Sequence, residues 1–149
     1  DGDSVDTLLV EQFRPPILQK SVEFPAGLID ENETATQAAL RELREETGYV
    51  GESCKTPPIV SRQVCMSPGL CNETVTVVMV EVDLTNPYNL NPQPKPELHH
   101  GEHIEVKRVS LQDGLKQVLD QEGTAMPIMG LYLFAVGWEL GAKHATAQK

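Results

Sequence analysis

Hydrophobic and polar positions change period several times along the chain. Leu8, Leu9 and Val10 form a short apolar run that predicts a strand over residues 7–13. Pro15 and Pro16 end it, because proline fixes its own φ and keeps the preceding residue extended. Val22, Glu23 and Phe24 predict a second short strand leading into Pro25, Ala26 and Gly27. A helical period then takes over. Thr34 is a candidate N-cap with Gln37 completing a capping box, residues 38–44 are mostly good helix formers, and Gly48 is the stop. Ala39, Leu40 and Leu43 are expected to form its buried face.

Beyond that helix, residues 59–66 predict a strand, Ser67-Pro68-Gly69-Leu70 a turn, and the β-branched run of residues 74–82 a central strand. Residues 86–101 carry Pro87, Pro92, Pro94 and Pro96, and a loop this long in a compact domain is expected either to serve a site or to be mobile. A strand returns over residues 102–109, with Glu102 at its mouth and Glu105 inside it. Leu111, Leu115, Val118 and Leu119 recur at helical spacing over residues 111–122. The last predicted helix covers residues 126–143, with Ile128, Leu131, Tyr132, Phe134, Ala135 and Trp138 as core. Strands interleaved with helices make the fold class α/β.

The first helix carries chemistry that its own stability argues against. Glu42, Glu45 and Glu46 lie within one turn, where like charges repel. A bound hard divalent cation such as Mg2+ reverses the sign of that interaction, since carboxylates are its preferred ligands. Arg41, four residues before Glu45, is placed to orient a carboxylate. The acids of residues 29–33 lack the central glycine and spacing of a calcium-binding EF-hand loop. A solvated acidic helix face is the plain alternative for the glutamate cluster.

Gly27, five residues, Glu33, seven residues, and then Arg41-Glu42-Leu43-Arg44-Glu45-Glu46-Thr47-Gly48-Tyr49 together resemble the Nudix box. Each fixed position is filled, and Tyr49 stands where an aliphatic residue is usual. Gln12-Phe13-Arg14-Pro15-Pro16, Glu23-Phe24-Pro25-Ala26-Gly27 and Pro68-Gly69 extend the resemblance to the ADP-ribose/ADP-sugar pyrophosphatase branch, of eukaryotic type, over most of the chain.

That resemblance implies a mixed β-sheet sandwiched between α-helices, and Mg2+-dependent hydrolysis of ADP-ribose or another ADP-sugar to AMP and a sugar phosphate. Mn2+ is a possible substitute, with more than one ion per site. It implies metal ligation by the Ala26 carbonyl, Glu42, Glu45 and Glu46. Glu45 and Glu102 are the implied catalytic residues, with Glu102 as the base. Substrate contacts fall on Arg14, Leu28, Met66, Gly69 and Glu73, with support from Gly27, Glu33, Arg41 and Gly48. From position alone, Arg14 is equally a surface arginine and Glu73 an exposed loop acid. Another nucleotide substrate and a non-catalytic ADP-ribose-binding module are the other readings.

Composition narrows the setting. The 149 residues fit one domain, with 22 acids against 12 bases and a formal charge of −10. Such a charge disfavours nonspecific binding to nucleic acid or anionic membrane. Cys54, Cys65 and Cys71 form no metal-binding pattern and are expected as reduced thiols in an intracellular, cytoplasmic or nuclear protein. Residues 128–138 are too short an apolar run to span a bilayer. The start at Asp1 suggests that an upstream segment precedes this domain. Only seven aromatic residues are present, so few remain to stack on adenine; the resemblance implies a homodimer whose partner supplies such contacts.

Overall fold

A computed structural model describes residues 5–55, 59–93, 103–112, 115, 120 and 125–147, with side chains to residue 145. The chain divides into two compact units, Asp1–Phe24 with Leu98–Lys149, and Pro25–Glu97.

The first unit is built on a mixed four-stranded sheet. Strand β1 (Asp6–Arg14) turns through a 3-10 segment, Pro15–Ile17, into β2 (Gln19–Glu23). Numbering strands in chain order, β7 (Glu105–Ser110) lies antiparallel to β1 and β8 (Met126–Pro127) parallel to β2, giving the order β7-β1-β2-β8. Alternation along a strand sends every second residue to one face. Leu9, Val22 and Val109 therefore gather on one side and pack with Leu111, Leu115, Leu131 and Ala135. Phe24 meets Phe134 edge to face, with ring centroids 5.5 Å apart.

The terminal helix α2 spans Met129–Ala147. It starts later than the sequence predicts, because residues 126–127 extend β2 as a parallel strand and the Ile128 N–H bonds to the Val22 carbonyl at 3.2 Å. Pro127 has no N–H and holds Met126 extended, so the helix begins beyond it. Leu131 and Ala135 are core as expected, with Ile128 and Phe134 packed against them. Tyr132 and Trp138 are not core: both are exposed. Most of the helix expected over residues 111–122 lies outside the described residues, although Leu115 is buried in the core.

In the second unit a loop leads into α1 (Ala35–Thr47). Its capping box forms as predicted: Thr34 Oγ1 accepts from the Gln37 N–H and Gln37 Oε1 from the Thr34 N–H. Gly48 closes the helix at φ 77°, in the left-handed region that glycine enters without strain. The buried face is rotated from expectation. Ala38, Leu43, Glu46 and Thr47 are buried, whereas Ala39 and Leu40 are only half-buried.

The two long strands expected after α1 are fragmented. Residues 59–66 contribute only β4 (Val64–Cys65) and an isolated bridge from Val60 to Val78. Residues 74–82 divide into β5 (Thr74–Val75), paired with β4, and β6 (Val80–Glu81), paired with β3 (Glu52–Ser53). The run stays extended but changes partner: Ser61 Oγ accepts the Val77 N–H, and the Met79 N–H turns to Ile59 while its carbonyl takes the Cys54 N–H. β-propensity predicts extension, not the continuity of a ladder. The expected turn at residues 67–70 is present, with the Leu70 and Cys71 N–H groups both bonded to the Ser67 carbonyl at 2.9 Å. Asn89 is buried and ties its loop to Val50 and Asp83 through three bonds of 2.8 Å. The latter half of the proline-rich segment, with residues 94–102 and therefore Glu102, lies outside the described residues.

Candidate active site

Arg41 organises the acidic face of α1. Its Nε and Nη2 donate to the two oxygens of Glu33 at 3.0 and 2.8 Å, a bidentate pairing that fixes the guanidinium plane. Nη1 reaches Glu42 at 2.7 Å and Glu45 at 3.1 Å, while Nη2 also bonds to the Leu28 carbonyl at 2.9 Å. One planar cation thus gathers three carboxylates from a loop and a helix, and the backbone of the loop between them. The effect is mutual: hydrogen bonds to Glu33, then Glu42, raise the Arg41 pKa, and Arg41 with the Asp30 N–H draws the Glu33 carboxyl below its ordinary value.

Glu46 sits apart from that fan. It is buried, and its Oε2 accepts the Ala26 N–H at 3.1 Å. The loop is thereby anchored to the helix at the residue whose carbonyl was expected as a ligand. Gly27 explains the closeness of the next contact: a β-carbon there would lie 1.9 Å from Glu42 Oε1 and 2.1 Å from its Cδ. Any larger residue there would have to displace this carboxylate.

The structure therefore joins Leu28, Glu33, Arg41, Glu42 and Glu45 in one network, Ala26 and Glu46 in an adjoining bond, and Gly27 against Glu42. Among the described residues, no three histidine, cysteine or acidic side chains converge as a preassembled metal cluster. The donor types nonetheless fit a hard divalent ion, being carboxylates and a carbonyl, and the glycine leaves room for them. Leu28 enters through its carbonyl, since its side chain is exposed.

Met66, Gly69 and Glu73 belong to the β4–β5 hairpin. The Met66 N–H donates to the Glu73 carbonyl at 3.2 Å, and Gly69 lines a cavity of about 590 Å³ with Cys65, Pro68, Leu70, Cys71, Asn72 and Thr74. Arg14, in the first unit, grips Glu23 with Nε and Nη2, both at 2.7 Å. Ser21 Oγ also donates to Glu23, and on balance these partners outweigh burial, which alone would raise its pKa, to leave it lowered. Sequence alone did not pair Glu23 with Arg14 or with Ser21. Strand alternation was the available signal: once the turn at Pro15–Ile17 joins the two strands, Arg14, Ser21 and Glu23 share a face.

A NUDIX domain profile matches residues 1–126. The chain is 39% identical to an uncharacterized Nudix hydrolase of Schizosaccharomyces pombe, over 99% of the chain and 69% of that protein. It is 42% identical to a protein named ADP-sugar pyrophosphatase in Mus musculus, over 95% of the chain and 61% of that protein. It is also 42% identical to one named ADP-ribose pyrophosphatase in Saccharomyces cerevisiae, over 83% of the chain and 52% of that protein. The chain thus spans between half and seven-tenths of the length of these relatives. The glycine, arginine and glutamates that this structure ties together are those of the box, and the chain belongs to the Nudix family.

Proposed function

We propose that this chain hydrolyses the pyrophosphate of ADP-ribose and related ADP-sugars, releasing AMP and a sugar phosphate. The observation that carries the reading is the Arg41 network, which gathers Glu42 and Glu45, with Glu42 against Gly27 and Glu46 bonded to the Ala26 N–H. The names of the mouse and yeast relatives support the substrate class.

The linkage resists water because its oxygens are already negative. Divalent ions, Mg2+ or Mn2+ and more than one per site, supply charge neutralisation and orientation of the water when bound. Glu42, Glu45, Glu46 and the Ala26 carbonyl would hold them. Arg41 and Glu33 fix the directions of the helix carboxylates, and Gly27 lets the loop backbone approach. Glu102 takes the proton of the attacking water as its oxygen bonds to phosphorus and the bridging P–O bond breaks. Arg14 steadies the anionic substrate with its planar donors, and Met66, Gly69 and Glu73 shape the side on which it is selected.

The domain acts over residues 1–149 as one Nudix domain, as a homodimer in the cytoplasm or nucleus. It has no nucleic-acid or membrane partner, in keeping with its acidic charge. No helix of the described residues is long and apolar enough to cross a membrane.

The test is a Mg2+-dependent turnover assay on a panel of ADP-sugars, other nucleotide sugars and oxidised nucleotides, with products resolved by chromatography. AMP and ribose 5-phosphate should dominate from ADP-ribose. Preferential turnover of another nucleotide would move the substrate assignment, and tight ADP-ribose binding without turnover would make the chain a binding module.

A further inference from the structure

Two exposed thiols lie in the same depression of the β4–β5 hairpin. Cys65 is the second residue of β4 and Cys71 follows the turn, and both line the 590 Å³ cavity with Pro68, Gly69 and Leu70. The intervening loop is held compact because the Ser67 carbonyl accepts from both Leu70 and Cys71 N–H groups at 2.9 Å. This turn brings residue 71 back to Ser67, two residues beyond Cys65. The third cysteine differs. Cys54 is buried, and its thiol donates to Glu81 at 3.0 Å. Exposure leaves the hairpin pair open to a small disulfide in solution, whereas burial shields Cys54.

We propose that Cys65 and Cys71 form a reversible modification site, a dithiol that a low-molecular-weight disulfide such as oxidised glutathione converts to an intramolecular disulfide. One cysteine thiolate attacks the glutathione disulfide, forms a protein–glutathione bond and expels a glutathione thiolate. The second cysteine thiolate then attacks the protein sulfur of that bond, closes Cys65–Cys71 and expels the other glutathione. Two protein thiols are oxidised, one small disulfide is reduced to two thiols, and the two cysteine protons pass to the departing thiolates. The bond locks the loop between Met66 and Gly69. Its effect on catalysis rests on the proposed substrate role of that hairpin.

The experiment incubates the intact, reduced chain with oxidised glutathione and reads mass, peptide map and ADP-ribose turnover. The wild type should lose two hydrogens without keeping glutathione, with the bond mapped to Cys65 and Cys71 and Cys54 left as thiol. Cys65→Ser and Cys71→Ser should each stop at a stable glutathione adduct. On closure kcat/KM should fall, as expected where a loop governs substrate entry, and dithiothreitol should restore it. A wild type that keeps both thiols, or that retains glutathione as the single variants do, overturns the pairing. Closure without any change in kcat/KM overturns the control of catalysis. If the reduced protein fails to turn over ADP-ribose, the substrate reading fails, while the mass and peptide map still decide the thiol site.

Discussion

Gly27 shows how a single hydrogen in place of a methyl group shapes the site. A β-carbon there overlaps Glu42, so Gly27→Ala must push the carboxylate away from Arg41 or lift the loop from the helix. Turnover should fall at least as far as the 10²-fold loss, roughly, that follows a 1 Å misplacement, with Mg2+ dependence shifted to higher concentration. Unchanged Mg2+ dependence and kcat would show that the close approach is incidental. Glu46 is buried, with its carboxylate on the Ala26 N–H. Glu46→Gln keeps an oxygen to accept the Ala26 N–H while it removes the charge and sets an NH2 group in place of the second oxygen. Stability should hold level or rise, while turnover falls by several powers of ten, on the order of what metal-site catalysis supplies. Wild-type turnover at saturating Mg2+ would remove Glu46 from the metal ligands. The base must be a carboxylate that is not committed to a cation, since a neighbouring dication suppresses basicity. Glu105 is the first residue of β7, opposite Glu11, and not inside the strand as the sequence predicts, and Glu73 ends the loop between β4 and β5. Glu102→Gln should lower kcat by about 10²–10⁴-fold with metal affinity little changed, and a silent Glu102→Gln beside a crippled Glu105→Gln or Glu73→Gln would move the role.

At the scale of elements, legibility followed the range of the interactions involved. The ends of α1 were readable because capping is local: Thr34, Gln37 and Gly48 act within a few residues of the helix they bound. Its acidic face was readable for the same reason. Its buried face was not, because burial depends on what packs against the helix, and Ala38 and Thr47 took the places expected of Ala39 and Leu40. Strand continuity failed likewise, since a run such as residues 74–82 can be extended throughout and still change partner. The β1–β2 hairpin adds a measurable case. Arg14 and Ser21 hold the Glu23 pKa below the ordinary 4.5, so Glu23 stabilises the fold above that pH and loses the contribution as pH falls through its folded value. Glu23→Gln should therefore cost stability at pH 7, toward the lower end of about 1.5–3 kcal/mol because Arg14 is partly screened by solvent. The deficit should shrink as denaturation is followed from pH 6 toward pH 3. A deficit that stays constant through that range would mean that packing, not charge, accounts for it.

At the scale of the whole molecule, the helix that closes the first unit has two apolar sides. One supplies Leu131 and Ala135 to the core. The other exposes Met129, Tyr132, Leu133, Val136 and Leu140, a stripe at helical spacing that single scattered surface residues would not make. The sequence reading assigned Tyr132 to the core because periodicity marks an apolar face without saying what covers it. A second copy of the chain is the occupant consistent with the proposed homodimer, and an isologous contact through α2 would place the same stripe on both sides of the interface. Leu133, 58% exposed, is the central position to test. Leu133→Glu sets a charge against its symmetry mate in an apolar contact, where truncation of a central residue alone is worth about 2 kcal/mol or more. Sedimentation should show the wild type as a dimer at micromolar concentration and the variant dissociating at concentrations at least about 30-fold higher, from that same free energy. Thermal unfolding of the variant monomer should remain cooperative, since the core face of α2 is untouched. A wild type that sediments as a monomer at working concentration with full turnover would remove the dimer, and a variant that stays dimeric would move the interface to another surface.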